Sequence, residues 1–297
     1  MLVDMVPSFS WAVRMALPNH VQVRDLMVRE KQEQLETLAE PIRKQGIHVE
    51  TQVLIGRTSV EIIRQVLRGN HDLVLRVAKG QDSQRKGYFG FTGTRLLRDC
   101  PCAVWLVAPG ELHQYKHVMA CIDTLSGEPD DDELNDKVYE SALLASQYHG
   151  AKLSIVQAWT VFGEEFLLTR TKQDVFAQFL SDVQERFTKL FDTFLQKHGT
   201  NAQAKNVFML KGNANCALPA FVDKQSVDLV VMGTIARRGA AGWVMGNSAE
   251  QILDRVECSV LTLKPDSFEC PIKHFTRTQT ASTANVTNTR ETLSKQT

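Results

Sequence analysis

The feature that most constrains this chain is a repeat. Sliding the sequence by 156 positions lays residues 54–104 on 210–260 with no gap. Leu54 then meets Leu210, Gly56 meets Gly212, Ile62 meets Leu218 and Val66 meets Val222. Asp72-Leu73-Val74 meets Asp228-Leu229-Val230, Gly90 meets Gly246, and Leu97, Cys102 and Val104 meet Leu253, Cys258 and Val260. So long a gapless register marks a duplication. The 297 residues are therefore expected to form two related domains, over 1–109 and 115–266, each long enough to bury its own core. From 271 to 297 the chain turns to Thr, Ser, Asn, Gln and Lys, which predicts a disordered tail.

The second copy alternates strand and helix. Residues 118–122 are a short apolar run that ends at Asp123. Residues 136–149 carry Val138, Ala142 and Ala145 at helical spacing, with Asn135 as the expected N-cap and Gly150 as the stop. A strand over 153–158 follows, then a long helix over 173–197 with Phe176, Phe179, Val183, Phe187, Leu190 and Phe194 on one stripe. Strands at 207–210 and 228–232 flank a short helix at 216–224. After a glycine-bearing loop come a helix at 248–256 and a last strand at 259–263. Strict alternation with apolar strands predicts an α/β fold, a parallel sheet wrapped by helices and joined by right-handed crossovers.

Composition excludes several functions. Lys+Arg and Asp+Glu balance at 34 each, so no net field favours nucleic acid or an anionic membrane surface. No apolar run approaches the roughly 20 residues that span a bilayer. The start, Met1-Leu-Val-Asp-Met-Val-Pro, has neither a basic region nor a cleavable apolar region. Six scattered cysteines, several inside apolar runs, suit a reducing cytoplasm better than a disulfide scaffold. Cys100 and Cys102 form a lone Cys-x-Cys, and Cys102 is the repeat mate of Cys258, so both are expected to pack in the core. His113 and His117 are read as linker residues with no third metal ligand near them. Neither G-x-S-x-G nor the P-loop G-x-x-x-x-G-K-[ST] occurs.

The loop after the 228–232 strand reads Gly233-Thr-Ile-Ala-Arg-Arg-Gly-Ala-Ala-Gly-Trp-Val-Met-Gly246-Asn-Ser-Ala-Glu-Gln-Ile. It resembles the nucleotide loop of the universal stress protein family: a glycine, a second three residues on, and a third ten later followed by Ser or Thr. The resemblance runs to about residue 266, in the tandem-domain form of the family. Gly233 and Gly246 keep the spacing. Ala236 stands at the second glycine, and Asn247 stands at the Ser or Thr, with Ser248 one place later. The resemblance implies two adenine nucleotide alpha hydrolase-like domains, each with strand order 3-2-1-4-5.

In that order, the crevice beyond the first and fourth strands is the natural ligand site of an open α/β sheet. Asp123 would accept hydrogen bonds from an adenine amino group or a ribose hydroxyl. Gly233 and Gly246 let backbone amides approach phosphate, and the helix opening at Asn247 and Ser248 adds its dipole and free amides. Arg237 and Arg238 would supply countercharge. Ala158 matches the family position whose backbone contacts adenine. The plainer reading leaves the glycines as turns and Ser248 with Gln251 as a capping box.

The first copy lacks this chemistry, with Val77 and Gly80 at the places of Gly233 and Ala236, so nucleotide is expected in the second domain only. Residues 26–44 correspond to the long helix and 2–6 to the second strand of the unit, while the first strand and its helix have no counterpart. A late start of the chain is the simplest expectation. It predicts a gap in the first sheet and an apolar trough at Leu73 and Leu75. The two domains are expected to meet as an intramolecular pseudo-dimer through 103–107 and 259–263.

Three function classes follow: a stress-response regulator that holds ATP or another adenine nucleotide in the second domain, a ligand-free scaffold for dimerisation or an unidentified protein partner, and a slow ATPase. The last ranks lowest, since no dedicated catalytic base is evident.

Overall fold

The computed structural model describes residues 1–78, 89–110, 114–125, 129–239 and 242–272, and of 129–130, 165, 235–239 and 242–245 the backbone alone. The chain alternates as the sequence predicts. The first half runs β1 (Leu2–Val6), α1 (Trp11–Ala16), α2 (His20–Arg43), β2 (Thr51–Ile55), α3 (Thr58–Gly69), β3 (Leu73–Val77), α4 (Gly90–Asp99) and β4 (Ala103–Val107). The second begins with β5 (His117–Cys121), α5 (Pro129–His149), β6 (Lys152–Trp159), α6 (Glu164–Arg170), α7 (Gln173–Lys197) and β7 (Val207–Lys211). It ends with α8 (Ala214–Gln225), β8 (Leu229–Gly233), β9 (Ile235–Gly239), β10 (Gly242–Met245), α9 (Asn247–Leu253) and β11 (Ser259–Leu263).

One seven-stranded sheet, ordered β3-β4-β11-β8-β5-β6-β7, dominates the molecule. Its last five strands, read from β7, have the order 3-2-1-4-5, all parallel. At β11 the sheet crosses to the first half, where β11 and β4 pair antiparallel. The register sets Val260 opposite Leu106, Leu261 opposite Trp105 and Thr262 opposite Val104. Trp105 thus faces Leu261, its own counterpart in the 156-residue register.

Apolar residues alternate to two faces of this sheet. On one lie Val230, Met232, Val260, Val104 and Val156, covered by α3, α4, α8 and α9 in a core that both halves share. On the other lie Val118, Ala120, Ile155, Leu229 and Val231, covered by α5 and α7. Among the described residues, nothing on the second face covers β3. Leu73, Leu75 and Val77 are 44%, 62% and 53% exposed, whereas their counterparts Leu229 and Val231 are fully buried. β1 and β2 form a separate parallel pair, and among the described residues no strand links it to β3. Among the described residues, the strand that β5 provides in the second half has no equivalent in the first, so β3 is the edge of this sheet and its apolar stripe is exposed.

Two helices depart from the periodicity. α5 begins at Pro129, a favourable first position, so Asn135 lies inside the helix and is not its N-cap. α7 buries Phe176, Phe191, Phe194 and Leu195, while Phe179 and Leu190 from the expected stripe are 40% and 48% exposed. After β11 the chain continues against the first half, where the Cys270 thiol donates to the Asp99 carbonyl at 3.2 Å. From residue 273 the tail lies outside the described residues, as do Gly80 and His113.

Candidate functional site

The ends of β5, β6 and β8 converge. Cys121 is opposite both Val156 and Met232, so Asp123, Ala158 and Gly233 sit at the carboxyl ends of three adjacent strands. Connections leave in opposite directions there. The chain after β5 enters α5 on one face, and the chain after β8 enters α9 on the other. Such a divergence opens a crevice at the sheet's edge.

Asp123 is exposed and firmly held. Its N–H donates to Asn135 Oδ1 at 3.0 Å, its carbonyl accepts from Asn135 Nδ2 at 2.7 Å, and its Oδ1 accepts from the Leu125 N–H at 3.0 Å. Asn135 is buried to 5% exposure, so a side chain inside α5 fixes the loop that presents the carboxylate.

Gln157 is a residue that the periodicity did not single out. It is fully buried, and its Oε1 accepts from both the N–H and the hydroxyl of Thr124, at 3.1 and 2.9 Å. The Ile122 N–H bonds the Val156 carbonyl at 2.9 Å, so the Thr124 N–H would be the next donor in the ladder, toward Ala158. Gln157 intercepts it and ends the ladder, beside a half-buried Ala158. Both donors bind Oε1, so the amide orientation is fixed, and the buried Nε2 has no hydrogen-bond partner among the described residues. A lone Gln in an apolar strand was the available signal.

Gly233 has a packing role. A Cβ built on it would lie 2.6 Å from Leu134 Cδ2 and 3.1 Å from Cγ. The missing side chain accommodates α5, and no left-handed φ is involved. The expected loop after it is a two-stranded ribbon, in which β9 and β10 pair antiparallel with Ala236 opposite Val244. Ala236 is therefore extended, a conformation that does not require glycine. Arg237 and Arg238 lie in β9, and their side chains fall outside the described residues.

Gly246 is the N-cap of α9 with φ −60° and ψ 136°, so it too needs no left-handed backbone. It is buried, and its N–H donates to the Thr234 carbonyl at 3.3 Å, which draws the ribbon's end back to β8. Asn247 and Ser248 follow, both exposed. The Ser248 capping box does not form, because Gly246 caps the helix and Gln251 Oε1 accepts from Asn215 Nδ2. His117 is no linker residue. It opens β5, 5% exposed, with Nδ1 3.0 Å from the Gln225 carbonyl and Nε2 2.8 Å from Ser154 Oγ, and burial lowers its pKa.

Comparison with known proteins agrees with this architecture. The profile of the Universal stress protein family matches residues 114–264. Universal stress protein E of Escherichia coli K12 is 29% identical over 230 residues, 77% of this chain and 72% of that protein. The protein of the same name from Photorhabdus laumondii is 30% identical over 238 residues, 77% of this chain and 73% of its own. Two crystal structures share the fold. A protein of Pseudomonas aeruginosa PAO1 described as functionally unknown has TM-score 0.67 at 20% identity, over 89% of this chain and 92% of that one. A universal stress protein from Archaeoglobus fulgidus has TM-score 0.56 at 18% identity, over 88% and 85%.

Proposed function

The chain belongs to the universal stress protein family, and from that premise we propose a stress-response regulator whose second half holds ATP or a related adenine nucleotide. The observation that carries this reading is the divergence of connections beyond β5 and β8, with Asp123 held over it by Asn135. Adenosine would lie between Asp123 and β8, next to the Ala158 backbone. The buried Nε2 of Gln157 would donate to a ring nitrogen or to a bridging water. Phosphates would rest against the amides of Asn247 and Ser248, since a helix leaves its first N–H groups without internal partners and the Gly246 amide is already engaged.

In the same reading, 1–109 and 115–266 are the two domains of one cytoplasmic chain, joined as a pseudo-dimer through β4 and β11. Catalysis is at most slow ATP hydrolysis, and a protein partner receives the signal.

The test is calorimetric titration of ATP into the full chain. Heat is expected for the unaltered protein and for Asn247→Ser, with weaker binding for Asp123→Ala and loss for Gly246→Val. No heat and no competition at millimolar ATP, for both the unaltered chain and Asn247→Ser, would remove the nucleotide reading. The scaffold reading would then stand. Phosphate release above a buffer control would reveal an ATPase.

A further inference from the structure

The Cys100-Pro101-Cys102 segment joins α4 to β4. Cys100 is the C-cap of α4, with φ −73° and ψ 131°, and its N–H donates to the Leu96 carbonyl at 3.0 Å. The Cys100 and Cys102 sulfurs lie 3.6 Å apart. Cys100 is fully buried, while Cys102 is half-buried beside β3, the edge strand of the sheet.

The internal repeat shows what this place in the fold requires. The counterparts of Cys100 and Cys102 are Val256 and Cys258, both buried. An apolar side chain therefore suffices where Cys100 stands, and packing gives no reason for a second thiol. Elsewhere burial keeps thiols inert: Cys121 and Cys258 are pushed up to about 12. Cys102 moves the other way. A hydrogen bond from the Cys100 thiol holds it below the usual thiol value, while Cys100 itself is pushed up by that same bond and by burial.

We propose that Cys100 and Cys102 are a reversible dithiol–disulfide pair that takes a hydroperoxide as its oxidant. The Cys102 thiolate attacks the peroxide, the O–O bond breaks, and the alcohol or water leaves with a proton. This gives a sulfenic acid on Cys102. The Cys100 sulfur then attacks the Cys102 sulfur, the S–O bond breaks, and hydroxide departs with the Cys100 proton as water. Two thiols lose two electrons in all, and the peroxide is reduced to an alcohol and water. With only Pro101 between the cysteines the ring is tight, and strained disulfides are readily reduced by thiols. The third thiol at this junction, Cys270, donates to the Asp99 carbonyl and is not needed.

The test uses the full chain, reduced, exposed to hydrogen peroxide, alkylated and cut with trypsin. The peptide covering residues 99–116 holds Cys100 and Cys102 and no other cysteine. It should lose the mass of two hydrogen atoms and resist alkylation, and dithiothreitol should restore two alkylated thiols. Cys100→Val, which copies the second half, should instead accumulate oxygen on Cys102. Cys102→Ser should abolish the mass loss, and Cys270→Ser should leave it intact. The proposal is overturned if this peptide stays doubly alkylated at a peroxide dose that oxidises the exposed Cys216. It is equally overturned if Cys102 pairs with Cys270, or if Cys100→Val behaves as the unaltered chain.

Discussion

The Lys264 ammonium, only 7% exposed, donates to the carbonyl of Leu97 at 2.6 Å and so fastens the last turn of α4 to the residue that follows β11. It also donates to the Thr234 hydroxyl and stands 5.2 Å from the centre of the Phe268 ring. A cation at a helix carboxyl end is favourably placed. Burial nevertheless pulls its pKa from the ordinary lysine value to about 7, against the opposing pull of the Asp99 carboxylate.

That shift sets a pH dependence. The folded value lies below the unfolded one, so between them the unfolded chain binds the proton and the folded chain does not. Stability contributed by this group should therefore rise from about pH 7 to about pH 10, by on the order of 1 kcal/mol per unit. Below about pH 7 the full penalty is present. Lys264→Met should abolish this component, seen as the difference between unaltered and variant urea midpoints across that range. A constant difference would show that Lys264 does not titrate there.

Asn135→Ala should destabilise the protein by about 2 kcal/mol, because it strips partners from the Asp123 N–H and carbonyl. Asp123→Ala, which removes the acceptor for the Leu125 amide, should cost about 1 kcal/mol or less. Urea unfolding of both separates the positioning residue from the presented one. Equal losses would contradict that division.

Gly233→Ala should cost about 1–3 kcal/mol through overpacking against Leu134. Combining it with Leu134→Ala should give less than the sum of the two losses, since the smaller residue leaves room for the methyl. Strict additivity in the double-mutant cycle would mean that the two positions do not share this contact.

The repeat supplies a matched pair at β3 and β8. Leu75→Thr, on the uncovered stripe, should change stability by no more than about 0.5 kcal/mol. Val231→Thr, at the buried counterpart, should lose about 1–3 kcal/mol by placing a hydroxyl in the core. Leu75→Thr should also lower the binding of a hydrophobic dye. A large loss at Leu75 would show that the stripe is covered in solution.

Much of the fold could be read from local pattern, and much of the site could not. Apolar runs such as 118–122 and 228–232 locate β5 and β8, because a strand buried on both faces must be apolar throughout. The strand order came from family resemblance, since no single residue encodes which strands are neighbours. A polar residue before an apolar period, as at Asn135, mimics a cap, while the true start at Pro129 is a weaker signal in isolation. Phe179 and Leu190 follow the helical period, yet α7 turns Phe176, Phe191, Phe194 and Leu195 to the core and leaves these two largely exposed. Lys264 reads as an ordinary surface lysine after a strand. Its burial depends on a helix about 170 positions earlier in the chain, which no short-range rule can see.

The register of β4 on β11 has a consequence for how the chain can vary. Two identical chains meeting across such an antiparallel pair would have to bring the same side chain to both sides of the centre, so a Trp there would meet a Trp. Covalent linkage lifts that constraint. Here Trp105 faces Leu261, and its indole N–H is 3.2 Å from the Tyr115 hydroxyl, a partner supplied by the residues just before β5. The central pair can hold one large and one small residue, and each can change without its counterpart.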